Sequence, residues 1–284
     1  MEVKRVGVVG SGIMGAGVAE VAAKAGFEVV VRSRAQATAD ALLAGVEKSL
    51  TKQVDKGTLD DAERTATLGR LQVVTDLGEL APCDLVLESI VEDLATKAHL
   101  FTELDRVCGE STVLATNTST LPVVDLAMET GRPDQVCGIH FFNPAPTMAL
   151  VEVVRAITSS DDTISSAHAF AEACGKTVVD VRDQAGFIVN ALLFPYLNNA
   201  VKLFDAGVAS RDDIDAAMKG GCNFPMGPLE LLDLVGLDTS LAILEALYAE
   251  FQDPNYAPAP LLRRMVSAER YGRKSGAGFY EYRR

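Results

Sequence analysis

Through residue 183 the chain alternates short apolar runs with longer stretches of helical period. Residues 3–9, 27–31, 71–74, 85–87, 113–115, 136–141, 151–154 and 177–181 are rich in valine, leucine and isoleucine, with few polar interruptions. Runs of that length and composition predict strands buried on both faces. Between them, residues 36–56, 59–68, 94–107 and 165–174 repeat their apolar positions every three to four residues, which predicts helices. Alternating strands and helices predict an α/β fold with a doubly wound, mostly parallel sheet. After Asp183 the pattern changes. From Phe187 onward nearly every segment has helical period, including 212–218, 228–234 and 239–251, while the proline-rich stretch 255–260 reads as a loop. Pro195 is expected to kink the first of these helices. The expected organisation is a sheet domain over 1–184 and an all-helical C-terminal domain over 185–284.

Apolar residues make up 48% of the 284 positions against 23% charged, enough to bury a substantial core and to exclude disorder as the main state. Acidic residues number 39 and basic residues 26, for a net charge of −13. That field argues against nucleic acid or an anionic membrane surface as a partner, though not against a small anion held by a local basic cluster. The charge-free stretch 185–201 contains Asn190, Pro195, Asn198 and Asn199, so no membrane span is expected. Residues 1–9 run directly into a strand pattern, so no secretory leader is expected either. The five cysteines are odd in number and scattered, with no CxxC. They predict reduced thiols in a cytoplasm and no zinc or other metal site.

Gly10-Ser11-Gly12-Ile13-Met14-Gly15 is a GxGxxG between the first strand and the first helix. Gly10 permits the tight turn, Gly12 lets backbone approach a pyrophosphate, and Gly15 lets helix and strand pack closely. The amides of the opening helix, from Gly12 through Ile13, Met14 and Gly15, would face the phosphates. This is the fingerprint of a Rossmann-type dinucleotide fold. Versions that bind NAD end the second strand on an acid for the ribose 2′-hydroxyl. Here that place reads Arg32-Ser33-Arg34, two guanidinium groups around a hydroxyl, which suits a 2′-phosphate. The sequence therefore favours NADP(H), with NAD(H) as the other candidate.

His140 closes an apolar strand and is followed by Asn143-Pro144-Ala145-Pro146, which redirects the chain. Carboxyl ends of strands are where such sheets bind ligands. Twelve residues on, Glu152 sits inside the apolar run Leu150–Val154, where an unpaired carboxylate would be costly. His140 is a suitable partner: the acid would orient the imidazole and stabilise its protonated form. Residues 116–120, Thr-Asn-Thr-Ser-Thr, close another strand and offer hydroxyls and an amide. His99 and His168 lie in helical, polar surroundings and read as structural. Lys52 and Lys56 form an i,i+4 pair, ordinarily a solvated face.

With these motifs, the chain resembles the L-3-hydroxyacyl-CoA dehydrogenases, especially the bacterial 3-hydroxybutyryl-CoA dehydrogenases. The resemblance spans essentially the whole sequence: GSGIMGAGVA, TNTSTLP, HFFNPAPTMALVEVV, DQAGFIVNALL, NFPMGPLELLDLVGLD and GRKSGAGFYEY. It implies that His140 is the acid–base residue and Glu152 its paired carboxylate. Ser119 and Asn190 would hydrogen-bond the reacting oxygen, and Asn190 would give the helical domain a direct part in the chemistry. Glu92, Lys97, Asn117 and Asn143 would lie around the nicotinamide ribose and ring, and Lys52 and Lys56 near the phosphates of an acyl-CoA substrate. Two positions depart from the family pattern: Ser33 replaces its usual aspartate, and Ala149 stands where a lysine is frequent. The apolar helices 229–232 and 241–247 predict a homodimer through the helical domain. Two other functions fit the architecture, a dehydrogenase of free 3-hydroxy acids and a non-catalytic dinucleotide-binding protein.

Overall fold

The valine-rich runs form one sheet. In the computed structural model, which describes residues 2–282, the strands are β1 (Arg5–Val9), β2 (Glu28–Arg32), β3 (Leu71–Val74), β4 (Leu85–Glu88), β5 (Val113–Thr116), β6 (Val136–Phe141), β7 (Leu150–Arg155) and β8 (Thr177–Arg182). Met1, Arg283 and Arg284, the outermost residues of the two expected domains, lie outside the described range. The sheet order is β3-β2-β1-β4-β5-β6-β7-β8. All neighbouring pairs run parallel except β6 and β7, which form an antiparallel pair. The order reverses between β1 and β4, the switch point beyond whose carboxyl ends open α/β sheets take ligands.

Helices α1 (Ile13–Lys24), α2 (Gln36–Asp55), α3 (Asp61–Gly69), α4 (Leu94–Val107), α5 (Val123–Ala127) and α6 (Asp161–Ala173) complete the first unit, Met1–Asp183. Helix α1 can lie close on the sheet because its inner face is small, with Val18, Ala19, Ala22 and Ala23 at zero exposure. Helix α2 buries Ala39, Leu42, Val46 and Leu50, one stripe three to four residues apart. Asp60 caps α3 in a reciprocal box with Glu63, so that helix starts at Asp61 rather than at Leu59. Helix α5 has five residues, too few for a period to show. Its first amides, Val123 and Val124, donate to the Asp183 carboxylate at 2.9 and 2.8 Å.

The second unit, Gln184–Arg284, holds α7 (Val189–Asp205), α8 (Arg211–Cys222), α9 (Pro228–Val235), α10 (Leu237–Phe251) and α11 (Pro260–Ser267). Phe194, Leu197, Val201, Leu229, Leu232, Leu244, Leu247 and Leu262 form its core. Pro195 is inside α7. Pro260 begins α11 rather than ending a loop, because proline lacks only an amide that a first helical residue leaves unpaired anyway. Two buried aspartates organise the rest. Asp215 accepts the Leu229 and Glu230 amides at the start of α9, and Asp233 accepts those of Phe279 and Tyr280. Among the described residues no helix is long and apolar enough to cross a membrane.

Candidate active site

The glycine loop joins β1 to α1, and each glycine answers a different constraint. Gly10 has φ of +124°, and a Cβ there would lie 2.3 Å from the Ser89 carbonyl oxygen. A Cβ on Gly15 would lie 2.0 Å from the Gly10 oxygen. On Gly12 a Cβ would meet no protein atom within 4 Å. Protein packing therefore accounts for Gly10 and Gly15 but not Gly12, whereas a phosphate approaching the first amides of α1 does. No acidic residue stands in the first turn of α1 to oppose an anion, and Ile13 is 78% exposed beside it. The loop fits a dinucleotide.

At the end of β2, Ser33 is buried, and its hydroxyl is committed to protein partners. It bonds Ser11 Oγ of the glycine loop at 2.9 Å and Thr38 Oγ1 at 2.6 Å. Arg32 is half-buried and donates from Nε to the Thr75 carbonyl, while Arg34 is exposed. Of the two guanidinium groups expected to face a phosphate, Arg34 is the accessible one. Helix α2 begins two residues later with no acidic residue in its first turn.

Residues His140 and Glu152 are directly opposed in the antiparallel pair β6–β7. Opposed residues share a face with Cβ atoms roughly 5 Å apart, so side-chain contact follows from register. His140 Nδ1 and Glu152 Oε2 are 2.7 Å apart, with side chains 6% and 0% exposed. A carboxylate only accepts, so Nδ1–H is the donor and Nε2 is left facing the other way. There it meets Ser119 Oγ at 3.1 Å. The Phe142 ring lies against the imidazole, centroids 4.6 Å apart. The ring is fixed at both nitrogens, and its Nε2 can take up or release a proton beside a hydroxyl.

Ser119 sits in the turn after β5, which hangs from acidic groups at the end of β4. Glu92 Oε1 accepts from Thr118 Oγ1, the Ser119 amide and the Thr120 amide at 2.5, 2.8 and 3.3 Å. Lys97 Nζ lies 3.2 Å from Glu92 Oε2 and 2.6 Å from Glu88 Oε1. Asn117 Oδ1 accepts the Phe141 amide at 2.8 Å, which ties the end of β5 to that of β6. Asn143 is exposed in the loop between β6 and β7. Lys176 steadies that loop by donating to the carbonyls of Ala145 and Met148. Burial holds the Lys176 ammonium below the usual lysine range.

The structure thus brings His140, Glu152, Ser119, Glu92 and Lys97 into one bonded set. Lys52 and Lys56 are exposed at the end of α2, and Asn190 is a buried residue of the first turn of α7 in the second unit. Sequence reasoning missed Glu88, and it gave Thr116 and Thr118 only as hydroxyls of the 116–120 turn, without the carboxylates they bond. Glu88 carried the same signal as Glu152, an acid on an apolar strand. Among the described residues no cluster of His, Cys, Asp or Glu is suited to a metal.

Residues 5–184 match the 3-hydroxyacyl-CoA dehydrogenase NAD binding domain, and residues 186–282 match the C-terminal domain of the same family. The chain belongs to the 3-hydroxyacyl-CoA dehydrogenase family. It is 47% identical over 282 residues to a 3-hydroxybutyryl-CoA dehydrogenase of Mycobacterium tuberculosis, covering 99% of both chains. It is 42% identical to the human mitochondrial hydroxyacyl-coenzyme A dehydrogenase, covering 99% of this chain and 92% of the relative. The crystal structure of (S)-3-hydroxybutyryl-CoA dehydrogenase PaaH1 from Ralstonia eutropha superposes with a TM-score of 0.97 at 40% identity, covering both chains fully. Rossmann-type sheet and helical C-terminal unit are thus the architecture of this dehydrogenase family.

Proposed function

We propose that this chain interconverts 3-hydroxyacyl-CoA and 3-ketoacyl-CoA with a nicotinamide dinucleotide, and that its substrates are short, 3-hydroxybutyryl-CoA foremost. The observation that carries the mechanism is the imidazole of His140, held at Nδ1 by a buried carboxylate and at Nε2 by the Ser119 hydroxyl. When bound, the nicotinamide would accept the hydride that leaves substrate C3 in oxidation, or supply the hydride that C3 gains in reduction. In oxidation, His140 Nε2 removes the proton of the 3-hydroxyl, and Glu152 stabilises the resulting imidazolium through Nδ1–H. In reduction, protonated His140 returns that proton to the forming alkoxide. Ser119 Oγ holds the reacting oxygen, a task the resemblance extends to Asn190. General acid–base assistance of this kind is worth roughly 10²–10⁴-fold.

Gly10, Gly12, Ile13, Met14 and Gly15 would hold the pyrophosphate, and Glu92, Lys97, Asn117 and Asn143 the nicotinamide end. NADP(H) is the preferred cofactor in this reading, because no carboxylate ends β2 and Arg34 is exposed beside Ser33. Lys52 and Lys56 would meet the coenzyme A phosphates. The helical unit would join two copies through the exposed Leu192, Leu203, Val208 and Phe224, not through the runs 229–232 and 241–247, whose Leu229, Leu232, Leu244 and Leu247 are buried in the unit's own core. Light scattering on the eluting protein checks this, and a monomer at micromolar concentration refutes it. Initial rates on C4 to C16 3-ketoacyl-CoA, each with NADPH and NADH, test substrate and cofactor together. Turnover of free acetoacetate but not acetoacetyl-CoA would overturn the substrate class. A clear preference for NADH would overturn the cofactor assignment. His140→Ala with turnover intact would overturn the mechanism.

A further inference from the structure

Glu88 ends β4 completely buried, in a position to which the proposed chemistry gives no task. A carboxylate withdrawn from water is tolerated when donors satisfy its oxygens. Oε1 accepts from Lys97 Nζ and from the Ile90 amide, both at 2.6 Å. Oε2 accepts from Thr116 Oγ1 at 2.7 Å. Two of these three donors lead on to the Ser119 turn. Lys97 carries the link to Glu92, whose other oxygen gathers Thr118 Oγ1 and the Ser119 and Thr120 amides. Thr116 Oγ1, while donating to Glu88, accepts the Thr118 amide at 3.2 Å. The turn is gripped from two sides, and both grips end on one carboxylate.

We propose that Glu88 is a positioning residue for the dehydrogenase reaction. Through Lys97 and Glu92 on one side and Thr116 on the other, it fixes the turn that presents Ser119 Oγ to His140 Nε2. This rests on His140 and Ser119 being the reacting pair proposed above. Residues 117–120 belong to no helix or strand, so side-chain anchors set where Ser119 stands. Reacting groups must be held within roughly 0.5 Å of productive geometry, and a misplacement of about 1 Å can cost about 10²-fold in rate. Glu88 is 0% exposed, so it acts through these neighbours.

The test compares Glu88→Gln and Thr116→Val, with His140→Ala as control. For each, kcat and both KM values are measured per folded molecule, with acetoacetyl-CoA and NADPH or NADH. Glu88→Gln keeps the shape but removes the charge, and kcat is expected to fall roughly 10- to 100-fold. Thr116→Val severs one grip, for a fall of about 3- to 10-fold, with its KM values within about threefold of wild type. The double variant should lose less than the product of the single losses, because both act on one turn. The ring signals of His140, one of three histidines in the chain, should shift in Glu88→Gln while those of His99 and His168 stay in place. Wild-type kcat in both variants overturns the proposal, as does a raised KM at unchanged kcat. If Glu88→Gln does not fold, Thr116→Val alone decides: wild-type kcat refutes, and reduced kcat supports. A fully active His140→Ala would defeat the underlying mechanism. An inactive His140→Ala beside active Glu88→Gln and Thr116→Val defeats the positioning role alone.

Discussion

Replacing Glu152 by Gln separates the electrostatic task of this side chain from its packing. The two are nearly the same shape, and Glu152 is fully buried opposite His140 on the neighbouring strand. The hydrogen bond to Nδ1, 2.7 Å long, can persist through the amide oxygen. What disappears is the negative charge facing the imidazolium that forms as the substrate proton is taken. A hydrogen bond to a charged group is worth about 1.5–3 kcal/mol, which sets the lower end of the loss near tenfold in kcat. Two unit charges about 4 Å apart attract by about 4 kcal/mol at an effective dielectric of 20, which sets the upper end near 10³-fold. The fold should be spared. Replacing the acid by its amide leaves no buried carboxylate without a partner, so the melting temperature should stay within about 4 °C of wild type. The assay is steady-state reduction of acetoacetyl-CoA, with thermal unfolding and cofactor titration on the same preparation. Wild-type turnover would refute the reasoning. So would a loss of activity that merely tracks a fall in melting temperature.

The glycines offer a sharper dissection. Gly12→Ala should move stability by about 1 kcal/mol at most, because its Cβ would meet no protein atom within 4 Å, and should abolish cofactor binding if the pyrophosphate packs against that position. Gly15→Ala should unfold the loop, with a Cβ 2.0 Å from the Gly10 oxygen; equal melting curves for the two variants would contradict this. Arg34→Ala should lower kcat/KM for NADPH by roughly 10- to 100-fold and leave NADH nearly unchanged, as loss of a charge-assisted phosphate contact requires. Equal effects on both cofactors would remove Arg34 from the 2′-phosphate. Burial pushes the Cys83 and Cys137 thiols up to about 12, Cys108 to about 11 and Cys174 to about 12. Their thiolates become abundant only as pH nears those values. At neutral to mildly alkaline pH a disulfide reagent should therefore titrate exposed Cys222 quickly and all five only after denaturation. Rapid reaction of more than one native thiol would count against that burial.

The glycine loop was legible because its constraint is local. The atoms that forbid a Cβ on Gly15 belong to Gly10, five residues back. The inner strands were legible because valine runs buried on both faces have few alternatives, the edge strands β3 and β8 by their valine content although neither is fully buried, and the change of period after Asp183 marked where the sheet stops. The association of Glu152 with His140 could be guessed, since a buried acid requires a partner and His140 closes the preceding apolar strand twelve residues earlier. Glu88 required the same argument, but its partner was disguised. Lys97 was expected near the nicotinamide through the resemblance alone, and only its place on α4, where it continues the buried stripe of Phe101 and Leu104, turns it toward Glu88.

Sequence by itself determined the strands and the longer helices, the dinucleotide loop and the identity of the chemical groups, because periodicity, backbone sterics and the cost of an unpaired buried charge act over a few residues. Tertiary structure alone decided that β6 and β7 run antiparallel, which opposes residue 140 to residue 152. It alone decided that Ser33 spends its hydroxyl on Ser11 and Thr38, and that one carboxylate on β4 grips the turn after β5 from two sides. These are relations between residues on different strands and turns. They are fixed by how the sheet orders and registers its strands, which no local pattern encodes.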